Sequence, residues 1–192
     1  MVRFSVIIPT CGRPTLARTL WSVIVKGSLA CEDEVIVIGD GPQPAARAIA
    51  EAWKVTYLDT VPTRGFGGHQ RNVGMAAAKG SHLLFMDDDD AYRPGAFPII
   101  RAAAEENTGK ILIFRMENHA SRRGWASKWD SQVACCGNVS TQMLCIPNVP
   151  AQLGKWTGAP TNDWDFLQGT LSRWPGGDAA IAWRQEIIAD LY

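Results

Sequence analysis

The sequence lacks the marks of a membrane-spanning, secreted or charge-driven binding protein. No apolar run in its 192 residues approaches the length needed to cross a bilayer. The first residues lack the charged and apolar regions of a signal peptide and are typical of a strand instead. Basic and acidic residues balance at 19 each, so no overall charge attracts nucleic acid or an anionic membrane. We therefore expect a cytoplasmic protein without a transmembrane segment.

Cysteine is sparse and follows no metal or disulfide pattern. The five cysteines are an odd number, and Cys135 and Cys136 are adjacent. No spacing among them matches a zinc site or a disulfide framework, so we expect reduced thiols. Two glycine signatures of nucleotide binding are also missing: a G-x-G-x-x-G directly after the first strand, and a glycine-rich loop that ends in Gly-Lys-Ser/Thr. The chain therefore carries neither a Rossmann fingerprint nor a P-loop.

What the chain does have is a regular alternation of strand and helix patterns. Apolar residues make up 46% of the sequence, which is enough for one domain with a sizeable core. Apolar runs predict strands at 2–9, 34–39, 54–58 and 81–86, and helical spacing predicts helices from residue 14 and over 45–53, 69–78 and 94–106. This order predicts an α/β fold: a Rossmann-like, doubly wound, mainly parallel mixed sheet with helices on both faces.

The pattern becomes irregular after residue 109. Strands are predicted at 110–116, 125–129 and 141–146 and a helix at 162–174, while 180–191 fits either a helix or a strand. No repeat, low-complexity tract or linker divides the chain. We therefore predict a single domain over 1–192, with a nucleotide-binding-like half at 1–109 and a second half at 110–192 that supplies specificity.

Four consecutive aspartates, Asp87 to Asp90, directly follow the apolar run 83–86. Like charges in a row resist burial unless they face water or hold a cation. In α/β proteins ligands bind at the carboxyl ends of strands, and hard oxygen ligands suit Mg²⁺ or Mn²⁺ beside a phosphorylated ligand. The cluster therefore predicts a divalent-metal site; a solvated acidic turn is the alternative.

Other strand ends are expected at the same edge of the sheet. The ends of the first, second and fourth predicted strands lie together in a parallel sheet, which brings Pro9, Thr10 and Asp40 toward the aspartates. The glycine-rich segment 64–68, with Arg71 nearby, precedes a helix whose free N–H groups favour anions. The combination predicts a pocket for a nucleoside diphosphate. Taken singly, Asp40 is better explained as a turn residue and 64–68 as a flexible turn, so the hypothesis depends on their shared edge.

Five segments together resemble the family-2 glycosyltransferases with the GT-A fold. Residues 5–16 resemble that family's first strand and helix, and residues 34–41 resemble its second strand with an acidic residue at the end. Residues 71–74 are similar to its Arg-Asn-x-Gly segment, 85–92 to its metal-binding Asp-x-Asp region, and 162–165 to the acidic pair that carries its catalytic base. The resemblance extends over nearly the whole chain, and the first four segments are specific in combination.

The resemblance implies a metal-dependent inverting glycosyltransferase that moves a sugar from a nucleoside diphosphate sugar, most often a UDP-sugar, to an acceptor hydroxyl. Asp163 would be the general base, although capping of the helix that follows is an alternative role for it. Mn²⁺ or Mg²⁺ would be held by Asp89 and Asp87. Residues 1–109 would bind the nucleotide sugar, and 110–192 would contribute the base and the acceptor contacts. The nucleotide would be held by the matched positions Pro9, Thr10, Asp40, Arg71, Asp87 and Asp88.

Two departures from the family pattern concern the base and the metal. The residue before Asp163 is Asn162, where the family more often has Glu. Many members also supply a metal-ligating histidine after the base, but the three histidines of this chain all precede it. Metal ligation is therefore expected to rest on Asp89, the diphosphate and water.

The acceptor and two rival functions stay open at this point. The segment 121–129 mixes arginine, lysine and tryptophan, which suits stacking on a sugar or base beside a phosphate, but a solvated strand edge explains it slightly better. A functional segment would indicate an anionic glycan, a lipid-linked sugar or a hydroxylated base in modified DNA. A nucleotidyltransferase would normally show a glycine-rich basic signature after the first strand. A non-catalytic nucleotide-sugar binding module is disfavoured by the intact Asp163 and the acidic cluster.

Overall fold

The strands join one eight-stranded sheet, on which the helices pack. The computed structural model describes residues 1–119 and 132–192. In chain order the strands are β1 (Phe4–Thr10), β2 (Glu34–Gly39), β3 (Thr56–Asp59), β4 (His82–Phe85), β5 (Ala91–Tyr92), β6 (Ile111–Asn118), β7 (Leu144–Pro147) and β8 (Ile181–Leu191). The helices are α1 (Leu16–Trp21), which continues as a π-helical turn (Ser22–Lys26), α2 (Pro44–Ala52), α3 (Gly68–Ala77), α4 (Ala96–Glu106) and α5 (Asn162–Leu171). Short 3-10 turns lie at Thr141–Met143 and Gly177–Ala180.

The sheet has the strand order β3-β2-β1-β4-β7-β6-β8-β5. The first four strands in this order run parallel to one another. β7 is antiparallel to both β4 and β6, β8 is parallel to β6, and β5 is antiparallel to β8. The predicted α/β fold with a mainly parallel mixed sheet is confirmed.

β1 lies inside the sheet and is covered on both faces. All seven of its residues are buried. Because neighbouring side chains of a strand point to opposite faces, this pattern requires packed elements on both sides of the sheet. α3 covers one side so closely that a Cβ on Gly74 would lie 2.5 Å from the side chain of Ile7. The glycine of the Arg-Asn-x-Gly segment is thus required by the approach of α3 to β1.

The observed elements differ from the predicted ones mainly in the second half of the chain. The segment 180–191 is a strand, β8. The predicted strand 141–146 begins with a 3-10 turn, so that only its later part is β7. α5 ends at Leu171, three residues before the predicted end. α1 begins at Leu16 rather than at Pro14, because the residues before it form a turn whose carbonyls, those of Arg13 and Pro14, accept hydrogen bonds from the N–H groups of Leu16 and Ala17.

Other sequence predictions concern cysteine, membranes and the basic aromatic segment. The five cysteines are free, and four of them are exposed. Across residues 1–119 and 132–192, every helix is too short or too polar to serve as a membrane span. The predicted strand 125–129 and the segment 121–129 that contains it fall outside the described residues.

Trp156 ties the chain before α5 to the first half of the fold. Its carbonyl accepts a hydrogen bond from Asn72 Nδ2 at 2.8 Å, and its N–H donates to Asn72 Oδ1 at 3.1 Å. The indole ring stacks on Phe166 of α5 with 4.3 Å between centroids and meets Phe85, the last residue of β4, at 5.0 Å. These contacts hold α5 against α3 and the end of β4, and thereby place the first turn of α5 near the strand ends.

Gly68 begins α3 where the chain passes very close to the segment before α5. A Cβ at this position would lie 1.8 Å from the carbonyl oxygen of Thr157, a backbone atom that cannot turn away. We expect Gly68→Ala to destabilise the fold by about 2 kcal/mol, which is roughly 4–8 °C in melting temperature for a chain of this size. Thermal unfolding followed by circular dichroism measures the loss.

Gly158→Ala is the matched control in the facing segment. A Cβ there would meet only Gly65, at an ordinary 3.9 Å, so we expect little change in melting temperature. Equal losses in the two variants would show that the close approach at Gly68 is not what the fold requires.

Candidate active site

A cavity of about 580 Å³ opens where β1, β2 and β4 end. The structure brings together here the residues that the sequence placed at the carboxyl edge of the sheet. The cavity is lined by Pro9, Thr10, Cys11, Arg13, Asp40, Arg64, Phe66, Gly67, Gln70, Arg71, Asp87, Asp88, Asp89, Asp90, Leu191 and Tyr192. All six predicted nucleotide-contacting residues and both predicted metal ligands belong to this lining, whereas Asp163 lies beside it.

Asp40 holds the loop between β3 and α3. Its Oδ1 accepts hydrogen bonds from the N–H of Thr63 at 2.6 Å and from Gln70 Nε2 at 2.8 Å, and its Oδ2 accepts from the N–H of Arg64 at 3.0 Å. Because Asp40 itself follows β2, these bonds fasten the glycine-rich loop to the end of that strand. The sequence treated Asp40 as a nucleotide contact or a turn residue, and the structure adds the role of organising this wall of the cavity.

Asp88 points inward and joins two strand ends. Its side chain is 2% exposed and accepts hydrogen bonds of 2.6 Å from Thr10 Oγ1 and from Arg13 Nη1. Thr10 ends β1, and Asp88 follows β4, so the two bonds link the ends of adjacent strands. Arg13, which sequence reasoning did not assign to the site, also lies 3.2 Å from Asp89 Oδ2.

Asp87 is held by two side chains from different parts of the fold. The guanidinium of Arg71, a residue of α3, pairs with Asp87 Oδ1, and Gln142 Nε2 donates to Asp87 Oδ2 at 3.2 Å. The same guanidinium donates to the carbonyl of Phe66 at 2.7 Å and lies over the ring of Trp156 at 4.8 Å. With its side chain only 4% exposed, Arg71 is a buried cation whose charge is paired.

Asp89 and Asp90 differ in exposure, and the pKa of each is raised. Asp90 is fully buried, and this burial, together with the charge of Asp87, raises its pKa to about 7. Gln142 and the N–H of Tyr192 donate to its carboxyl oxygens. Asp89 keeps 36% of its side chain exposed. Burial raises its pKa too, and the charges of Asp87 and Asp88 add to the effect while Arg13 opposes it.

The donor set fits a hard divalent cation. Asp89 carries a carboxylate that lines the cavity and keeps 36% of its side chain exposed. Carboxylate oxygens are the ligands that Mg²⁺ and Mn²⁺ prefer. Asp87 lies next to it, although both of its oxygens already accept hydrogen bonds from Arg71 and Gln142.

Asp163 lies in the first turn of α5 and is oriented by the 3-10 turn before β7. Thr141 Oγ1 donates a hydrogen bond of 2.9 Å to its Oδ1. Burial raises the pKa of Asp163, Arg71 and Thr141 act against this rise, and the charge of Asp87 adds to it. The carboxyl group is thus within electrostatic reach of the cavity residues. The alternative that Asp163 caps α5 is wrong, because Thr161 occupies the cap position and no side chain caps the helix end.

Sequence reasoning missed the residues that orient these carboxyl groups. Thr141 and Gln142 are neighbours in one 3-10 turn, and they bond to Asp163 and to the aspartate cluster, respectively. They stood inside a predicted strand, and their residue types carry no catalytic signature. Asn162, which replaces the usual Glu, donates to the carbonyl of Phe66 at 3.0 Å and so ties α5 to the glycine-rich loop.

A second group of ligand-type side chains lies at the ends of β6 and β8. Glu117, His119 and Asp190, all within the described residues, offer ligand atoms within 4.8 Å of one another. Arg93 already occupies this group, because its guanidinium donates to Asp190 Oδ1 at 2.8 and 2.9 Å and pairs with Glu117. Despite burial, the hydrogen bonds from Arg93 and His119 lower the pKa of Asp190. The group is therefore a charge-compensated ion-pair network.

Comparison with known proteins places these residues in a family. The sequence model described as Glycosyl transferase family 2 matches residues 5–142, well over half of the chain. Over 124 residues the chain is 29% identical to the poly(ribitol-phosphate) beta-N-acetylglucosaminyltransferase TarS of Staphylococcus aureus. This alignment covers 61% of this chain and 21% of that protein. Over 65 residues the chain is 42% identical to the dolichyl-phosphate beta-glucosyltransferase of Drosophila melanogaster. This second alignment covers 30% of this chain and 20% of that protein. The matched region thus spans about a fifth of each of these relatives.

A solved structure shares the fold. Residues 1–349 of S. aureus TarS in complex with UDP-GlcNAc superpose with a TM-score of 0.77 at 17% sequence identity, over 98% of this chain and 58% of that one. At this identity the likeness concerns the fold alone, and it confirms the predicted GT-A architecture. From the extent of the family match we conclude that the chain belongs to glycosyl transferase family 2, a family of glycosyl-transferring enzymes.

Proposed function

We propose that this chain contains the donor-binding and catalytic parts of an inverting, metal-dependent glycosyltransferase that uses a nucleoside diphosphate sugar, most simply a UDP-sugar. The observation that carries the proposal is the meeting of three groups at one cavity: strand-end residues suited to a nucleotide, the cavity-facing carboxylate of Asp89, and the partly buried carboxyl of Asp163 beside them. In this assignment residues 1–109 bind the donor, and residues 110–192 contribute the base and the acceptor contacts.

Donor binding is assigned to the walls formed by β1, β2 and the aspartate cluster. Pro9, Thr10 and Asp40 face the nucleoside, and Arg71 and Asp87 lie toward the diphosphate. Asp88 contributes chiefly by holding Thr10 and Arg13 in place, since both of its oxygens already accept hydrogen bonds. Hydrogen bonds within the protein hold these residues in position before the donor binds. This lowers the entropy that is lost on binding.

Asp163 acts as the general base in this proposal. It takes the proton of the acceptor hydroxyl while the acceptor oxygen forms a bond to the anomeric carbon. The bond from that carbon to the diphosphate breaks on the opposite face, and the diphosphate leaves with the electron pair. A single in-line displacement of this kind inverts the configuration. The raised pKa of Asp163 suits the role, because a stronger base accepts a proton more readily at neutral pH.

Asp89 is assigned as the main protein ligand of a divalent cation, Mn²⁺ or Mg²⁺, with Asp87 beside it. Such an ion supplies Lewis-acid stabilisation of the charge that develops on a leaving diphosphate. Asp87 has less freedom to bind it than the sequence suggested, because Arg71 and Gln142 already contact its two oxygens. Asp89 is therefore expected to carry most of the metal dependence.

The acceptor is proposed to be phosphate-bearing. The names of the two relatives described above contain phosphorylated compounds, poly(ribitol-phosphate) and dolichyl phosphate. Among the classes that the sequence left open, these names support an anionic glycan and a lipid-linked phosphate sugar.

Removal of the base separates transfer from donor binding. We expect Asp163→Asn to lower the rate of sugar transfer by at least about a hundredfold while UDP affinity is retained, because general-base catalysis contributes on that scale. Transfer assays with UDP-sugars and calorimetric UDP titration measure the two quantities. Asp165→Asn, two residues further along α5, is the matched control and is expected to keep transfer. Normal turnover by Asp163→Asn would remove Asp163 from the mechanism.

Two variants distinguish the candidate metal groups. We expect Mn²⁺ to strengthen UDP binding by the wild-type chain and to have no such effect on Asp89→Ala, since the main carboxylate ligand is gone. Calorimetry of UDP binding with Mn²⁺ and with EDTA gives the comparison. Glu117→Gln alters the second group, at the ends of β6 and β8, and is expected to keep the metal effect. Loss of the effect in Glu117→Gln but not in Asp89→Ala would place the ion at the second group.

The hydroxyl of Thr141 tunes the base. Its hydrogen bond stabilises the charged carboxylate of Asp163, so its loss in Thr141→Val raises the pKa of that group further. Because the base acts in its deprotonated form, transfer falls as pH drops through this pKa, and the acidic limb of the rate profile should move to higher pH. Thr141→Ser keeps the hydroxyl and should restore the wild-type limb. An unmoved limb in Thr141→Val would contradict the assignment of this limb to Asp163.

A further inference from the structure

Phe66 is an exposed aromatic ring on the wall of the cavity. Its side chain is 63% exposed, although it belongs to the cavity lining. The other aromatic ring of the lining, Tyr192, is covered by the guanidinium of Arg18 at 4.4 Å and by the ring of His119 at 5.3 Å. Within residues 1–119 and 132–192, no ring or guanidinium is stacked on Phe66. A large apolar face is thus open to whatever enters the cavity.

The backbone that carries this ring is held in an unusual conformation. Phe66 has a φ of 43° and Arg64 a φ of 51°, values that non-glycine residues rarely adopt. Such conformations persist only when surrounding contacts impose them, and they are common at ligand-binding sites. The contacts here are two hydrogen bonds to the carbonyl of Phe66, from Arg71 at 2.7 Å and from Asn162 at 3.0 Å. The ring is therefore presented by a backbone that is fixed before a ligand binds.

The position of Phe66 in the sheet identifies the part of the donor that it meets. The glycine-rich loop is fastened to the end of β2 by Asp40, which accepts a hydrogen bond from the N–H of Arg64, and it approaches β1 at Gly67, where a Cβ would lie 3.0 Å from Pro9. Phe66 thus lies between the ends of β2 and β1. The aspartate cluster follows β4, which is beyond β1 in the sheet. The segment that carries Phe66 is therefore anchored at Asp40 and Pro9, the residues assigned above to the nucleoside.

We propose that Phe66 is the stacking platform for the nucleobase of the donor. The inference rests on the proposed function, and it adds to the predicted nucleotide-binding residues one that contacts the base through its ring. Stacking on an aromatic ring strengthens binding of any base, because every base has a π face. Phe66 therefore contributes affinity for the nucleoside, while hydrogen bonds at the edge of the base select its identity.

The test compares a ligand that has a base with one that has none. UDP and inorganic pyrophosphate are titrated by calorimetry, in the presence of Mn²⁺, into the wild-type chain and into Phe66→Leu, Phe66→Tyr and Val61→Ala. We expect Phe66→Leu to weaken UDP binding by about tenfold and to leave pyrophosphate binding unchanged, because pyrophosphate has no base to stack. Phe66→Tyr keeps the ring and should bind UDP as the wild type does. Val61, which is 67% exposed and not part of the lining, provides the control substitution in the same connection.

Three results would overturn the inference. If Phe66→Leu binds UDP with wild-type affinity, the ring does not stack on the base, and a slower transfer in that variant would then place the ring against the acceptor. If Phe66→Leu loses UDP and pyrophosphate equally, the residue shapes the loop and does not recognise a base. If the wild-type chain binds neither ligand, the proposed function itself fails, and the inference fails with it.

Discussion

The buried ion pair between Arg71 and Asp87 is the interaction on which the candidate site depends. Burial of a guanidinium that is almost fully removed from water costs several kcal/mol unless an opposite charge is paired with it. Arg71 is paired with Asp87 after β4, and its guanidinium also contacts the carbonyl of Phe66 in the glycine-rich loop and the ring of Trp156 before α5. One side chain of α3 thereby sets the relative positions of three walls. The same charge moderates the pKa of Asp163, so the pair also influences the group assigned as the base.

The four aspartates coexist because each has a different environment. Asp88 is turned inward to Thr10 and Arg13, and Asp87 is divided between Arg71 and Gln142. Asp90 is buried, and this burial raises its pKa to about 7, so that it can take up a proton near neutrality. Asp89 is left as the carboxylate that faces the cavity with the least compensation. The run of like charges is thus divided into one exposed carboxylate at the cavity and three side chains held by other parts of the fold.

Hydrogen bonds also hold the glycine-rich loop of the site in a fixed position, although this loop is not part of the sheet. Asp40 fastens the start of the glycine-rich loop through two backbone N–H groups, and Arg71 and Asn162 fasten its end through the carbonyl of Phe66. Each bond satisfies a backbone group that a less ordered loop would expose to water. The replacement of the usual Glu by Asn162 acquires a physical role in this way, since an amide donates to a carbonyl and a carboxylate does not. The loop and the helix that carries Asp163 are thus connected by one amide.

The sequence by itself determined the order of the elements in the first half and the edge of the sheet at which the chemistry lies. Periodicity and β-branched runs are local properties, and the carboxyl ends of parallel strands meet by topology alone, so Thr10, Asp40 and Asp87 were placed together correctly. Sequence patterns could not assign 180–191 to a strand or find Thr141 and Gln142, because that strand is selected by its partner β6 and those two residues act only through folded contacts. Only the tertiary structure decided which aspartate is exposed at the cavity and which is buried. The four side chains are chemically identical, so they differ only in the groups that the fold places around each of them.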